Sequence, residues 1–354
     1  SLAAGWPVTP IYPGFEDVGS RIISSPALAD LDQDGRVDVA IGTNETLNGT
    51  YGATYAISGL GLDDPRGAIL PGWPVELFGA YTQALPYVGE GVPGSPAIAD
   101  MDGDGDLEVA THTIAGNVRA YHHDGSLYRE HYGSFSDFGE GSDVWDATIF
   151  PFINSSSFGD LDGDGAPDLV TGGIGAGIAL SFNYDGEYWR YDHGVLAWSG
   201  ADGTMIEGFP RTIEDMQFFM NPAVADIDGD GAMEVISGSA GHVVHAWDAT
   251  GAQPDGWPKL TGHWILGSPA VGDIDGDGLL EVVATTREGW IFAWDTPSRA
   301  DGPVGWQGWG HDPANTANHE AALPGFNVVE DEGRTEGDDG PVFREEAGKE
   351  GCGC

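Results

Sequence analysis

The sequence predicts an all-β fold, a β-propeller of four-stranded antiparallel blades, and three observations predict it. An acidic nonapeptide recurs five times, similar apolar runs flank it on both sides, and a Gly-Trp-Pro or Gly-Phe-Pro landmark accompanies most copies. The copies read DLDQDGRVD from Asp30, DMDGDGDLE from Asp100, DLDGDGAPD from Asp160, DIDGDGAME from Asp226 and DIDGDGLLE from Asp273. Self-similarity at intervals of 70, 60, 66 and 47 residues marks a repeat architecture.

Each blade is read in chain order. The first strand precedes the acidic loop as SPALA, SPAIA, SSSFG, NPAVA or SPAVG. The second follows it as VDVAIGT, LEVATHT, PDLVTGG, MEVISGS or LEVVATT, short β-rich runs bounded by Gly and Asp. NVRAYHHDG, HVVHAWDATG and WIFAWDT supply third strands, and the fourth is marked by GWPV at Gly5 and Gly72, GFPR at Gly208 and GWPK at Gly256. Four antiparallel strands per unit favour radial packing, which leaves only short, protected edges. The 47-residue interval is a minimal blade, so the longer ones carry insertions. Five loops do not limit the ring to five blades. AAGWPV near the N-terminus reads either as the last strand of a blade whose other strands lie outside this chain or as the strand that closes the ring; GWQGWGHDPANTAN, around Gly305, competes for the closing role.

Residues 1–323 form the expected propeller, and residues 324–354 an acidic, solvated linker with few large apolar side chains. The 354-residue chain has 57 acidic against 13 basic side chains, a formal net charge of -44. That field repels phosphates, so nucleic acid is not expected as a partner and anionic lipid headgroups are poor ones. Apolar residues at 40% suffice for a large core, while no apolar run reaches the roughly 20 residues needed to span a bilayer. Two cysteines, Cys352 and Cys354, leave the fold without an internal disulfide framework.

The acidic loops carry the chemistry. Carboxylates about 5 Å apart repel by ~0.8 kcal/mol per pair even in water, so a cluster of four needs a cation. Position 1 is Asp30, Asp100, Asp160, Asp226 and Asp273; position 3 is Asp32, Asp102, Asp162, Asp228 and Asp275. Position 5 is Asp34, Asp104, Asp164, Asp230 and Asp277, and position 9 is Asp38, Glu108, Asp168, Glu234 and Glu281. Gly stands at position 6, where the chain must turn sharply. Position 7 holds Arg36, Asp106, Ala166, Ala232 and Leu279, side chains too different to share a role, so it is expected to offer its backbone carbonyl. Oxygen-only donors suit Ca2+ better than Mg2+, which resists losing water, or Zn2+, which prefers His and Cys. An EF-hand would need a bidentate acid at position 12, occupied here by Ile41, Thr111, Thr171, Ser237 and Ala284.

Between Gly5 and His319 the chain resembles the FG-GAP and VCBS repeat family, calcium-loop propellers similar to the integrin α-subunit head. SSFGDLDGDGAPDLVTGG carries that pattern at Phe158, Gly159, Ala166 and Pro167. The resemblance implies a secreted propeller with one calcium ion per loop, about five in all, and nothing secure about a ligand. Purely structural ions are the plainer reading of such loops, and a salt-adapted acidic surface explains part of the charge.

Outside the loops, NYDGEYWRYDHG interrupts the third repeat. Tyr184, Tyr188, Trp189 and Tyr191 beside Asp185, Glu187 and Asp192 suit stacking on and hydrogen bonding to a sugar or a protein; self-packing of the insertion is the plainer alternative. DFGEGSDVWDATIFPF from Asp137 is a weaker candidate of the same kind. His122, His123, His242 and His245 fall mainly on predicted strands without a metal-ligand motif, and no nucleophile elbow, P-loop or H-E-x-x-H occurs. The terminal GCGC resembles the Cys-Gly-Cys start of the C-terminal sorting signal of myxobacterial surface proteins, although the membrane segment and basic cluster of that signal do not follow; accidental thiols are the alternative. The expected function is a non-enzymatic, calcium-stabilised recognition or adhesion module, secreted or on a bacterial surface, with an extracellular protein or glycan partner and membrane attachment only through a C-terminal anchor. A carbohydrate-active enzyme or glycan-binding module with its site in the insertions is the alternative.

Overall fold

The computed structural model describes residues 1–11, 22–45, 52–77, 90–92, 94–112, 117–132, 149–150, 154–175, 193–217 and 220–323. In the first blade, β1 (Ala27–Ala29), β2 (Asp38–Gly42), β4 (Gly52–Ile57) and β5 (Val75–Leu77) pair in that order, every neighbour antiparallel. The two-residue β3 (Asn44–Glu45) leaves this sheet to pair with β6 (Glu90–Gly91). The second blade is β7 (Ala97–Ala99), β8 (Glu108–His112), β9 (Asn117–Tyr121) and β10 (Leu127–Tyr132). In the third, β11 (Ile149–Phe150) extends the far end of β13 (Asp168–Gly175), which lies between β12 (Ser157–Gly159) and β14 (His193–Trp198), with β15 (Arg211–Ile213) outermost. The fourth comprises β16 (Ala223–Ala225), β17 (Glu234–Gly238), β18 (Val243–Trp247) and β19 (Lys259–Leu260). The fifth has three described strands, β20 (Ala270–Gly272), β21 (Leu279–Thr285) and β22 (Ile291–Arg299).

Inner strands touch one another, β1 with β7, β12 with β16 and β16 with β20, which gives the sheets the radial arrangement of a β-propeller. Crowding at the axis explains their composition. Ala27, Ala97, Ala99, Ala223 and Ala225 are small and buried, and Ile98, Phe158 and Val224 fill the wedges between blades with no exposed surface. Burying a side chain of the latter kind contributes about 1.5–3 kcal/mol. Hydroxyls continue the pattern just before the inner strands: Ser25 N–H donates to Ser95 Oγ at 2.9 Å, Ser95 N–H to Ser155 Oγ at 3.0 Å, and Asn221 N–H to Ser268 Oγ at 2.9 Å.

The segment expected to compete for ring closure takes a different place. β23 (Val304–Trp306) pairs with the inner strand β16, not with an outer edge. Beyond it, Gln307 accepts from Val271 N–H, Thr316 from Leu28 N–H and Ala317 from Ile98 N–H, so this stretch crosses the inner strands of blades four, five, one and two. Trp306 is fully buried, with its ring 6.1 Å from Phe158 of blade three and 4.9 Å from His311. Carbonyls and N–H groups that face the axis without a neighbouring strand thereby find partners. The Gly5 landmark lies outside any described strand. Trp6 instead donates its indole N–H to Gly59 O and, with Val8, packs on Ile41, Tyr55 and Ile57 of blade one. Trp73 does the same one blade on, donating to His123 O. No fourth strand covers β22 among the described residues, and Trp290 and Ile291 at this edge are exposed.

Candidate metal centre

All five acidic loops join first to second strands, so the topology sets them on one face, and they share one internal frame. Position 1 accepts the position-6 N–H through one carboxylate oxygen in every copy: Gly35 to Asp30, Gly105 to Asp100, Gly165 to Asp160, Gly231 to Asp226 and Gly278 to Asp273, at 2.9–3.1 Å. Position 3 accepts the position-5 N–H in all five, and position 5 accepts the position-7 N–H. The position-6 glycines have φ between +85° and +96°, which explains their residue type. Position 4 is also left-handed, with Gly in four copies and Gln33 at φ 56° in the first.

Position 9 clasps each loop from the next strand. Asp38, Glu108, Asp168, Glu234 and Glu281 accept the position-2 N–H of Leu31, Met101, Leu161, Ile227 and Ile274 at 2.7–3.0 Å. All five side chains are buried. Burial raises their carboxyls, Asp168 and Glu108 to about 7 and Glu234 to about 8, against the N–H groups that pull them down. Buried acids raised this way lie next to Asp162, Asp102 and Asp228, so a nearby cation would recover charge that the fold makes costly.

Ligand oxygens converge within 4.8 Å in the sets Asp30–Asp32–Asp38, Asp100–Asp102–Asp104, Asp160–Asp162–Asp168 and Asp226–Asp228–Asp230. Asp100 Oδ1 is buried without a hydrogen-bond partner. The donors fit a hard cation: Asp at positions 1 and 3 with position 5 or 9 would hold it, and backbone N–H groups already orient their carboxylates. Position 7 enters the shared frame through its N–H.

The loops are not equivalent, and the differences come from residues outside the nonapeptide. The turn between third and fourth strands carries an Asp whose carboxylate accepts the N–H two residues on: Asp64 from Arg66, Asp124 from Ser126, Asp202 from Thr204 and Asp248 from Thr250. Blade one therefore presents a guanidinium where blades two, three and four present hydroxyls. Arg66 Nη1 lies 2.6 Å from Asp32 Oδ2, an ionic contact more than an aligned hydrogen bond, and Nη2 lies 2.8 Å from Asp64. Hydrogen bonding to Arg66 holds the Asp64 carboxyl well below its ordinary range. In blade two, His122 Nδ1 stands 3.0 Å from Glu108 Oε1, and His123 Nδ1 lies 3.1 Å from Asp106 Oδ2.

Neither Arg66 nor His122 was legible as a loop partner, because each lies 14 or more residues past the clasp. Alignment of the D-x-[ST] turn would have singled out Arg66. His122 follows β9 instead of lying on it, and His242, also expected on a strand, precedes β18 at φ 70°. His245 does lie on β18, stacked on Trp247 and 2.9 Å from Glu214 Oε1. Tyr184, Asp185, Glu187, Tyr188, Trp189, Tyr191, Asp192, Cys352 and Cys354 lie outside the described residues.

Fold and loops together define a β-propeller with an acidic loop at the same place in each of five blades. The FG-GAP-like repeat family matches residues 226–284, the fourth acidic loop through β21. No curated protein sequence matches the chain. Among solved structures it is similar to BamB from Moraxella catarrhalis, at 14% identity and TM-score 0.39 over 81% of this chain and 61% of that one. It is also similar to BBS1N, solved in complex with ARL6DN, at 12% identity and TM-score 0.42 over 78% and 66%. Saccharomyces cerevisiae Sqt1 matches at 12% identity and TM-score 0.43 over 79% and 60%. The chain thus spans about three-fifths to two-thirds of the length of these structures.

Proposed function

We propose that the protein is a calcium-stabilised, non-enzymatic recognition module that works outside the cell, with its ion loops on one face and its partner on the other. The observation that carries this reading is the five-fold recurrence of one hydrogen-bonded carboxylate frame. When bound, Ca2+ would supply the positive charge that lets converging carboxylates stay ionised. The chain's own groups do the rest. Position-6 glycines turn the backbone, N–H groups aim the carboxylates, and position-9 acids tie each loop to the second strand of its blade. A loop fixed at both ends is suited to rigidity, not to shape change.

Strands β5, β8, β10 and β13 end, and β4, β9 and β14 begin, on the side opposite the acidic loops. At that end Ser25, Ser95, Ser155, Asn221 and Trp309 line a shallow axial depression. β13 ends and β14 begins on this side, so a partner bound there would leave the ion loops undisturbed. No described residue favours the enzymatic alternative, whose candidate acids Glu187 and Asp192 lie outside them. A glycan and protein array tests the reading. The Trp189→Ala/Tyr191→Ala double variant should lose the ligand found while keeping its calcium-dependent melt; full binding by that variant would move recognition elsewhere.

A further inference from the structure

We propose that the second acidic loop is a mixed nitrogen–oxygen site, built from Asp102, Glu108 and His122, that selects a borderline transition dication such as Zn2+ over Ca2+. This rests on the reading of the loops as metal sites but departs from it in the ion. The observation is that Asp102, Glu108 and His122 each bring one ligand atom within 4.8 Å of the others. A nitrogen donor makes this set different in kind from the carboxylate clusters of the first, third and fourth loops.

Register shows how the difference arises. Val39, Val109, Leu169, Val235 and Val282, at position 10, face Ile57, Tyr121, Trp198, Trp247 and Trp294. The residue that follows each partner is Ser58, His122, Ser199, Asp248 or Asp295, so blade two alone places an imidazole there. In blades one and three the second oxygen of the clasp is taken by backbone, Gly59 N–H on Asp38 and Gly200 N–H on Asp168. In blade two that oxygen, Glu108 Oε1, faces His122 Nδ1 at 3.0 Å.

Tetrahedral Zn2+ with bonds near 2.0–2.1 Å requires donors ~3.3 Å apart. The Glu108–His122 pair already stands close to that spacing, and Asp102 lies within reach of both. Asp100 Oδ1, buried without a partner in the same loop, is available as a further oxygen. The imidazole is held for the task. The His122 backbone donates to Ser126 O and accepts from Gly125 N–H, and its ring packs edge-on against Tyr128 at 4.9 Å. Such outer contacts fix ring orientation at metal-binding histidines. Ca2+, which takes oxygen ligands, gains nothing from the imidazole.

The test uses the full chain, stripped with chelator and returned to millimolar calcium, then titrated with Zn2+ and, as a spectroscopic probe, Co2+. One equivalent should bind, with a Co2+ absorption spectrum that reports a nitrogen ligand. His122→Gln and His122→Asn should each weaken Zn2+ by at least ~10-fold, since loss of even an outer partner of a metal ligand costs that much, with terbium binding to the remaining loops unchanged. Asp228→Asn, in the fourth loop, should keep the Zn2+ equivalent, and melting curves confirm that each variant is folded. Zn2+ binding that is unaffected in folded His122 variants, or no Zn2+ equivalent while calcium still stabilises the protein, overturns this proposal alone. Binding of neither ion overturns it together with the calcium reading.

Discussion

In loop three the position-9 carboxylate ties the loop to its strand and also converges with Asp160 and Asp162, whereas Asp164 at position 5 would act through the ion alone, and substitution at Asp168 and Asp164 separates the two. Asp168 is fully buried; its Oδ2 accepts Leu161 N–H at 2.7 Å and its Oδ1 accepts Gly200 N–H at 3.2 Å. Asp168→Ala strands both donors. At about 1–3 kcal/mol for each buried group left unpaired, the loss is ~2–6 kcal/mol with no metal present. Asp164 is exposed and, among the described residues, accepts only Ala166 N–H, which water replaces, so Asp164→Ala costs at most ~1 kcal/mol in chelator. Calcium adds a second cost at Asp164. With 1 mM ion and a dissociation constant of ~0.1–1 mM, one site contributes ~0.4–1.4 kcal/mol, and Asp164→Ala should forfeit about that amount. Urea unfolding followed by tryptophan fluorescence, with and without chelator, reads both effects. Equal losses for the two variants in chelator would refute the division of roles.

Three further outcomes follow from the same geometry. Arg66→Ser, which installs the type of residue found at Ser126, Thr204 and Thr250, should raise ion affinity at the first loop on the order of 10-fold, because a guanidinium no longer opposes the dication; an unchanged calorimetric titration would contradict this. Calcium binding at pH 7 should release on the order of two protons, because burial holds Asp168 and Glu108 at about 7 and Glu234 at about 8 until the ion favours their charged forms. Calorimetric enthalpies that do not vary with buffer ionisation heat would count against that. Burial lowers His131 and His311 to about 4, so between pH 6.5 and 4 the unfolded chain binds protons that the fold refuses. The stability that these two histidines contribute is therefore complete above pH 6.5 and is lost on acidification, by ~2 kcal/mol for each between pH 7 and 5; His131→Gln should remove its share of that dependence, and a pH profile identical to that of the unsubstituted protein would exclude the assignment.

Much of the fold was legible because repetition supplied its own controls. Five aligned copies separated invariant Gly at position 6 from variable residues at position 7, and the flanking runs became the first and second strands of each blade. The landmark at Gly72 also led into a strand. Its copy at Gly5 did not, because strand formation needs a neighbouring edge and Trp6 finds blade one instead. The stretch around Gly305 carried turn formers and tryptophans that suit an outer strand as well as an axial one; what places it is the row of unpaired backbone groups on inner strands, which no local pattern reveals. Loop identity was equally plain, whereas loop individuality was hidden. Arg66 and His122 act on their loops through the third strand and its following turn, a juxtaposition made by pairing register.

The central claim, that the five acidic loops are cation sites, is tested most directly by anomalous diffraction from crystals of the full chain grown in calcium. The account predicts difference peaks bounded by the position-1, -3 and -5 aspartates and the position-9 acid of loops three, four and five, a weaker peak in the first loop beside Arg66, and a peak in the second that shifts to the zinc edge when zinc is added. Ordered loops with no peak among those carboxylates, in crystals that hold calcium, would contradict it.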